Sequence, residues 1–93
     1  MRIAIVDDIH SERVLLHTRL EEQLTKRGVH ADLTEFENGE AFLKASRERP
    51  FTVLFLDIYM NGANGVEIAR ELRKSDPDCL LIFTTTSTDH ALE

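Results

Sequence analysis

The sequence contains little cysteine and no long apolar run. Cys79 is the only cysteine among 93 residues, so no internal disulfide can form, and no cysteine and histidine cluster has zinc-site spacing. The longest apolar runs fall far short of the roughly 18 residues that span a membrane. Nothing after Met1 resembles a signal peptide. We therefore expect a cytoplasmic protein with no membrane partner.

Basic residues are outnumbered by acidic ones. The chain has 17 Asp and Glu against 11 Lys and Arg, which gives a net charge of −6 at pH 7. An acidic surface disfavours sequence-independent binding to nucleic acid or to an anionic membrane. The length predicts one domain over residues 1–93. A domain this small buries only about 60–65% of its unfolded surface, so we expect a thin stability margin.

Three short apolar runs each end on polar residues. Residues Ile3–Val6 run into two acids, Val53–Leu56 run into one acid, and Cys79–Phe83 run into a hydroxyl-rich stretch. Continuous apolar strands are typical of parallel sheets that are covered on both faces. A weaker strand is predicted over Ala31–Phe36.

Helical patterns fill the gaps between these strands. Helices are predicted at about residues 11–27, 38–49 and 66–76, with a further one beginning at Asp89. Leu16, Leu20 and Leu24 recur every four residues and are interpreted as core, and Gly28 supplies a stop. The Arg and Glu residues of the first and third helices are interpreted as a solvated face. Alternating strands and helices predict an α/β fold with a doubly wound parallel sheet.

The polar residues that follow the strands predict a binding site. In an open α/β sheet, ligands bind beyond the carboxyl ends of the strands, where Asp7, Asp8, Asp57 and the hydroxyls around Thr85 would lie. If the first and third strands are neighbours, three carboxylates converge and their repulsion favours a bound cation. Oxygen ligands without His or Cys indicate Mg²⁺ or a similar hard ion. Asp57 is therefore a predicted metal ligand and a candidate nucleophile.

Four stretches together resemble a known family. They read IVDD, LFLD, DIYMNGANGVEIARELR and LLIFTTTSTDHALE. The chain resembles the receiver domain of response regulators, the phospho-acceptor half of bacterial two-component systems. Its later stretches are similar to receivers of the LytTR class, in which a DNA-binding output domain usually follows. The resemblance implies a flavodoxin-like receiver fold with strand order 2-1-3-4, whose fifth strand and fifth helix are absent from this chain.

The resemblance also implies a role for each matching position. Asp57 would accept a phosphoryl group from the phosphohistidine of a sensor histidine kinase. Asp8 would bind Mg²⁺ directly, Asp7 would bind it through water, and Tyr59 would supply its backbone carbonyl. Thr85 would be the switch hydroxyl that moves to the phosphoryl oxygens. Any contact with DNA would come through a C-terminal output domain beyond this chain.

Two departures from the family pattern affect these expectations. The family has a lysine at the end of the fifth strand, whereas Lys26, Lys44 and Lys74 all fall on predicted helices. Losing that cation would cost on the order of 2–4 kcal/mol of transition-state stabilisation. Without a fifth strand, Cys79–Phe83 becomes an apolar sheet edge, which predicts a homodimer or a domain-swapped dimer. Asn61 also stands where the family usually has proline.

Other interpretations of the same residues stay open. The chain is alternatively a pseudo-receiver, an interaction module with the same fold and no productive phosphorylation. A phosphatase of the haloacid dehalogenase type would need a second Asp where Tyr59 stands. A flavin-binding protein would need a phosphate cradle where the first loop is acidic. The pair Asp7 and Asp8 is also a candidate N-terminal cap for the first helix.

Overall fold

The computed structural model describes residues 1–60 and 64–84, in which strands and helices alternate. In chain order they are β1 Arg2–Val6, α1 His10–Lys26, β2 Asp32–Phe36, α2 Gly39–Glu48, β3 Val53–Asp57, α3 Gly65–Ser75 and β4 Leu80–Thr84. All strands pair in parallel, in the order β2-β1-β3-β4. The predicted fold is confirmed. The helix predicted from Asp89 lies outside the described residues.

Local signals explain where the helices begin and end. The side chain of Asn38 accepts a hydrogen bond from the Ala41 amide at the start of α2. Asn64 caps α3 in the same way. Beyond α1, Gly28 has φ of +67°, a value that favours glycine, and its amide donates to a carbonyl in the last turn. The predicted stop of the first helix is therefore confirmed.

One face of the sheet carries the main hydrophobic core. Helices α2 and α3 pack there, and the buried core residues are Ala4, Val6, Phe42, Leu43, Phe51, Leu54, Leu56, Ile68, Leu72 and Cys79. Ile3 and Ile5 are buried as well, but they alternate with Ala4 and Val6 and so lie on the opposite face. The prediction that Cys79 is a core residue is confirmed.

Helix α1 covers the opposite face less completely. No residue of α1 is fully buried, so the prediction that Leu16, Leu20 and Leu24 belong to the core is wrong: all three are half-buried. The reason is that α1 lies mainly against β1 and β2. No helix in residues 1–60 and 64–84 is long and apolar enough to cross a membrane.

Candidate metal centre

Three carboxylates meet at the carboxyl end of the two central strands. Val6 pairs with Leu56 across β1 and β3, so the next residues along each strand, Asp7 and Asp57, lie side by side. Asp8 follows directly, and each of the three acids places a carboxylate oxygen within 4.8 Å of the others. The structure thus brings together the three acids that the sequence predicted to converge.

Asp57 is fully buried, and only one of its oxygens is satisfied. Its Oδ1 accepts a hydrogen bond from the Tyr59 amide at 3.2 Å, while its Oδ2 has no hydrogen-bond partner among the described residues. Burial and then the charge of Asp7 raise the pKa of Asp57 to about 6, and the charges of Asp8 and Glu12 add to the rise. The Tyr59 amide opposes the shift. The fold therefore holds these acids close together against their mutual repulsion.

Asp7 is also buried, and its backbone and side chain shape the loop between β1 and α1. Its amide donates to the Phe36 carbonyl at 3.1 Å, and its Oδ1 accepts from the Ile9 amide at 2.9 Å. Burial raises the pKa of Asp7, the Ile9 amide opposes the rise, and Asp8 adds to it. The N-cap of α1 is Ile9, without a side-chain cap, so the interpretation of the acid pair as that cap is wrong.

The donor set fits a hard divalent cation. It consists of three carboxylates, of which two are buried and one is half-buried, and it contains no His or Cys. A buried carboxylate oxygen without a partner, as in Asp57, is the kind of atom that a bound cation satisfies. A cation would also remove the repulsion that raises the pKa of Asp57 and Asp7. Mg²⁺ matches this chemistry, because it takes oxygen ligands from one or two carboxylates and keeps several waters.

The start of α3 closes one side of the site through a glycine. A Cβ added to Gly65 would lie 2.5 Å from the Asp57 carbonyl oxygen and 2.9 Å from the Ile58 Cα. The Gly65 amide also donates to the Ile58 carbonyl at 2.9 Å. Glycine at this position therefore lets the helix approach the backbone that follows Asp57. The sequence does not predict this contact, since a glycine at a helix start does not reveal which residues lie opposite it.

Of the remaining predicted site residues, the structure describes some and not others. The side chain of Tyr59 is exposed. The backbone amide of Tyr59 donates a hydrogen bond to the Asp57 carboxylate, so the Tyr59 backbone lies beside that carboxylate. The metal-binding role of its carbonyl stays a prediction. Thr85 and Asn61 lie outside the described residues. The neighbouring Thr84 pairs with Asp57, so the end of β4 reaches the site.

A polar network behind the first loop was not predicted. Arg13 on α1 donates through Nε to Glu35 Oε1 at 3.0 Å and through Nη1 to the Asp7 carbonyl at 2.7 Å. Its Nη2 lies 3.0 Å from His10 Nδ1, and Glu35 Oε2 lies 2.7 Å from His17 Nδ1. The Arg13 side chain is only 11% exposed, so the interpretation of the α1 charges as a solvated face is wrong for this residue.

Comparisons with known proteins agree with the fold. Residues 3–93 match the family model of the response regulator receiver domain. The chain belongs to this family, which confirms the resemblance seen in the sequence. It is therefore a receiver domain of two-component signal transduction.

Two curated relatives match most or all of this chain and differ in their own length. The response regulator receiver protein CpdR of Brucella abortus (strain 2308) is 36% identical over 84 residues, which are 90% of this chain and 65% of CpdR. The sensory transduction protein LytT of Bacillus subtilis (strain 168) is 29% identical over 93 residues, which are 100% of this chain and 37% of LytT. The chain thus spans less than two thirds of each of these relatives.

Solved structures of one response regulator resemble the chain closely. TrrA of Thermotoga maritima, in complex with Mg²⁺ and BeF, is 33% identical and superposes with a TM-score of 0.79 over 99% of this chain and 75% of that one. The structure of histidine kinase ThkA in complex with TrrA gives 35% identity and a TM-score of 0.77, over 91% of this chain and 68% of that one. The likeness extends over nearly the whole chain.

Proposed function

We propose that this chain is a phospho-acceptor switch, in which Asp57 takes a phosphoryl group from the phosphohistidine of a sensor histidine kinase. Mg²⁺ would be held by Asp7, Asp8, Asp57 and the carbonyl of Tyr59. The observation that carries the proposal is the buried Asp57 Oδ2, which has no hydrogen-bond partner in residues 1–60 and 64–84 and lies among two further carboxylates.

The Asp57 side chain is suited to attack phosphorus. The Tyr59 amide donates to Oδ1 and so fixes the orientation of the carboxylate. One carboxylate oxygen would then bind the cation, and the other would form the new oxygen–phosphorus bond. As that bond forms, the phosphorus–nitrogen bond breaks, and the kinase imidazole leaves with the electron pair and is protonated. The product is an aspartyl phosphate. Bound Mg²⁺ supplies the positive charge that offsets the carboxylates and the phosphoryl oxygens.

The partners in this proposal are supported by the relatives. TrrA is bound to its histidine kinase in one solved structure and to Mg²⁺ with BeF in another, at 35% and 33% identity to this chain. We assign a histidine kinase and Mg²⁺ to this chain on that basis. Thr85 is proposed as the switch hydroxyl. A DNA-binding output, if the full protein has one, would lie beyond these 93 residues.

The positions of the three lysines leave a second candidate function open. Lys26, Lys44 and Lys74 lie in α1, α2 and α3, as predicted, and none of them is at a strand end. No lysine in residues 1–60 and 64–84 is therefore placed to stabilise the transferred phosphoryl group. This observation keeps the pseudo-receiver, an interaction module without phosphorylation, as the second candidate function.

Intact mass spectrometry tests the proposal directly. The chain is incubated with acetyl phosphate and Mg²⁺, beside Asp57→Asn and beside a sample with EDTA. We expect a phosphoryl-sized mass increase only in the wild-type chain with Mg²⁺. No increase in this chain, but one in a version extended past Glu93, would mean that the site needs the following residues. No increase in either would contradict the phospho-acceptor function and favour the interaction module.

A further inference from the structure

Arg13 connects the loop that carries the acid pair to two separate elements. Its guanidinium donates to the Asp7 carbonyl at the end of β1, to Glu35 on β2, and contacts His10 at the start of α1. The 2.7 Å bond to the Asp7 carbonyl is the shortest of the three. All three nitrogens of the guanidinium are thus used, and the side chain is only 11% exposed.

The contacts of Arg13 fix the backbone where the metal ligands begin. The Asp7 amide is already held by Phe36 on β2, and its carbonyl is held by Arg13. The peptide groups on both sides of the Asp7 Cα are therefore held in place. Since Asp8 follows the Asp7 carbonyl directly, the direction of that carbonyl determines where the Asp8 carboxylate starts.

The anchor for Arg13 is itself held in place. Glu35 accepts from Arg13 through one oxygen, and its other oxygen lies 2.7 Å from His17 Nδ1. The other ring nitrogen of His17 is 3.0 Å from Glu21 Oε1. To donate to a carboxylate and a carbonyl at once, a side chain needs N–H groups in a fixed planar arrangement. Arginine provides this arrangement, and the flexible ammonium of lysine does not.

We propose that Arg13 is a positioning residue for the metal site: through the Asp7 carbonyl it holds the β1–α1 loop in the geometry that lets Asp7 and Asp8 bind Mg²⁺. The inference rests on the proposed function, because it assumes a metal at the acid cluster. It assigns a task to a side chain that touches neither the metal nor the phosphoryl group.

The direction in which Mg²⁺ affinity changes when Arg13 is removed shows whether Arg13 acts by positioning the loop or through its charge. Arg13 is a cation close to a cation site, so if it acted through charge alone, removing it would strengthen Mg²⁺ binding. Positioning predicts the opposite result. Arg13→Lys separates the two effects further, because it keeps the charge and loses the fork.

The experiment measures Mg²⁺ affinity by calorimetry in four forms of the full chain: wild type, Arg13→Gln, Arg13→Lys and Arg19→Gln. Arg19 is an exposed residue of the same helix, so its variant matches the charge change of Arg13→Gln. We expect both Arg13 variants to bind Mg²⁺ about tenfold more weakly, which is the usual loss when a group that orients a ligand is removed. Arg19→Gln should stay within about twofold of wild type, since exposed charges are well screened.

A second readout does not depend on the metal. In metal-free protein, the Ile9 amide bonds the Asp7 side chain, so its hydrogen exchange reports the order of the loop. We expect exchange at Ile9 to accelerate about tenfold in both Arg13 variants, while the central-strand amides and circular dichroism confirm that the fold persists.

Each result decides the inference. Unchanged or tighter Mg²⁺ binding in Arg13→Gln would overturn it, and so would unchanged exchange at Ile9. If the wild-type chain binds no Mg²⁺, the proposed function fails. The exchange of Ile9 then still decides whether Arg13 holds the loop.

Discussion

At the scale of single residues, Asp57 lies where its neutral form is favoured. Its pKa is about 6 in the folded protein, against an ordinary value of 3.8. Between these two pH values the folded protein keeps a proton that the unfolded chain has lost. The folded state is therefore favoured most below pH 3.8, and this contribution is lost as the pH rises through about 6. The pKa of Asp7 is raised too, so Asp7 changes the stability with pH in the same direction.

Asp57→Asn should consequently stabilise the metal-free protein at neutral pH. The neutral amide removes a buried charge and its repulsion with Asp7, and we expect the free energy of unfolding at pH 7 to rise by about 1–3 kcal/mol. At pH 4 the gain should nearly vanish. Urea unfolding in EDTA at both pH values measures this difference.

A matched variant isolates the effect of the site from that of net charge. Asp78→Asn makes the same change at an exposed position and should alter the free energy of unfolding by less than about 0.5 kcal/mol. Saturating Mg²⁺ should shrink the advantage of Asp57→Asn, because the wild type gains stability by binding the ion. An equal effect of Asp57→Asn at pH 4 and pH 7 would contradict the account of its pKa.

The residues of the site differ in how far the sequence could predict them. Asp7, Asp8 and Asp57 were predictable because each follows an apolar strand, and parallel strands end at the same edge of a sheet. The role of Arg13 was not predictable, because Arg13 lies on α1 and its partner Glu35 lies on β2. The contact depends on the register of β1 with β2 and on the rotation of α1, and neither leaves a periodic signal in the chain.

At the scale of elements, the contact between α3 and the end of β3 determines the shape of the site. A methyl group on Gly65 would meet the Asp57 carbonyl at 2.5 Å, so either the helix or the loop would have to move. Backbone atoms line this contact, and they cannot rotate away as a side chain would. The site is therefore sensitive to a single carbon atom at the start of a helix.

Gly65→Ala should destabilise the protein by about 1–3 kcal/mol and weaken Mg²⁺ binding. Gly28→Ala is the control, because Gly28 has a positive φ but no atom within 4 Å of the added carbon. The free energy of unfolding of that variant should fall by about 1 kcal/mol through backbone strain, and its Mg²⁺ affinity should stay unchanged. Thermal unfolding and calorimetry report the two effects separately. Equal Mg²⁺ affinity in Gly65→Ala and wild type would show that the loop absorbs the methyl group.

The elements themselves were largely predictable, with one clear exception. Continuous apolar runs marked β1, β3 and β4. Gly28 marked the end of α1, and Asn38 marked the start of α2. The spacing of Leu16, Leu20 and Leu24 correctly predicted that this segment is a helix. It wrongly predicted that these side chains are buried in the core. Periodicity shows which face of a helix is apolar, but how deeply that face is buried depends on what else covers the same side of the sheet.

At the scale of the whole molecule, β4 leaves an apolar edge. It is the last strand of the described sheet, and Leu80, Ile82 and Phe83 have exposed fractions of 58%, 37% and 42%. No charged residue or proline lies within it. Strands of this kind pair readily with another chain, because their backbone groups are available and their side chains gain by burial.

We therefore expect the 93-residue chain to self-associate at roughly micromolar to millimolar concentrations, through β4 pairing or a strand swap. Ile82→Lys should reduce the association, because a charge on the edge opposes pairing. Val66→Lys makes the same change at an exposed apolar position on α3 and should leave the association unaltered. Sedimentation equilibrium gives the mass of each form. A wild-type chain that remains monomeric over this range would exclude this role for β4.

The central position of β1 in the sheet also affects how the protein folds while it is being synthesised. β1 leaves the ribosome before both of its neighbours, since Ile3 pairs with Leu33 on one side and with Val53 on the other. At about 5–20 residues per second, roughly 2–10 seconds pass before the second neighbour has been synthesised. During this interval the apolar strand β1 has no completed sheet to enter. We expect chaperones that bind short apolar segments to contact β1 before β3 has been synthesised, and slower translation ahead of β3 to lower the folded yield.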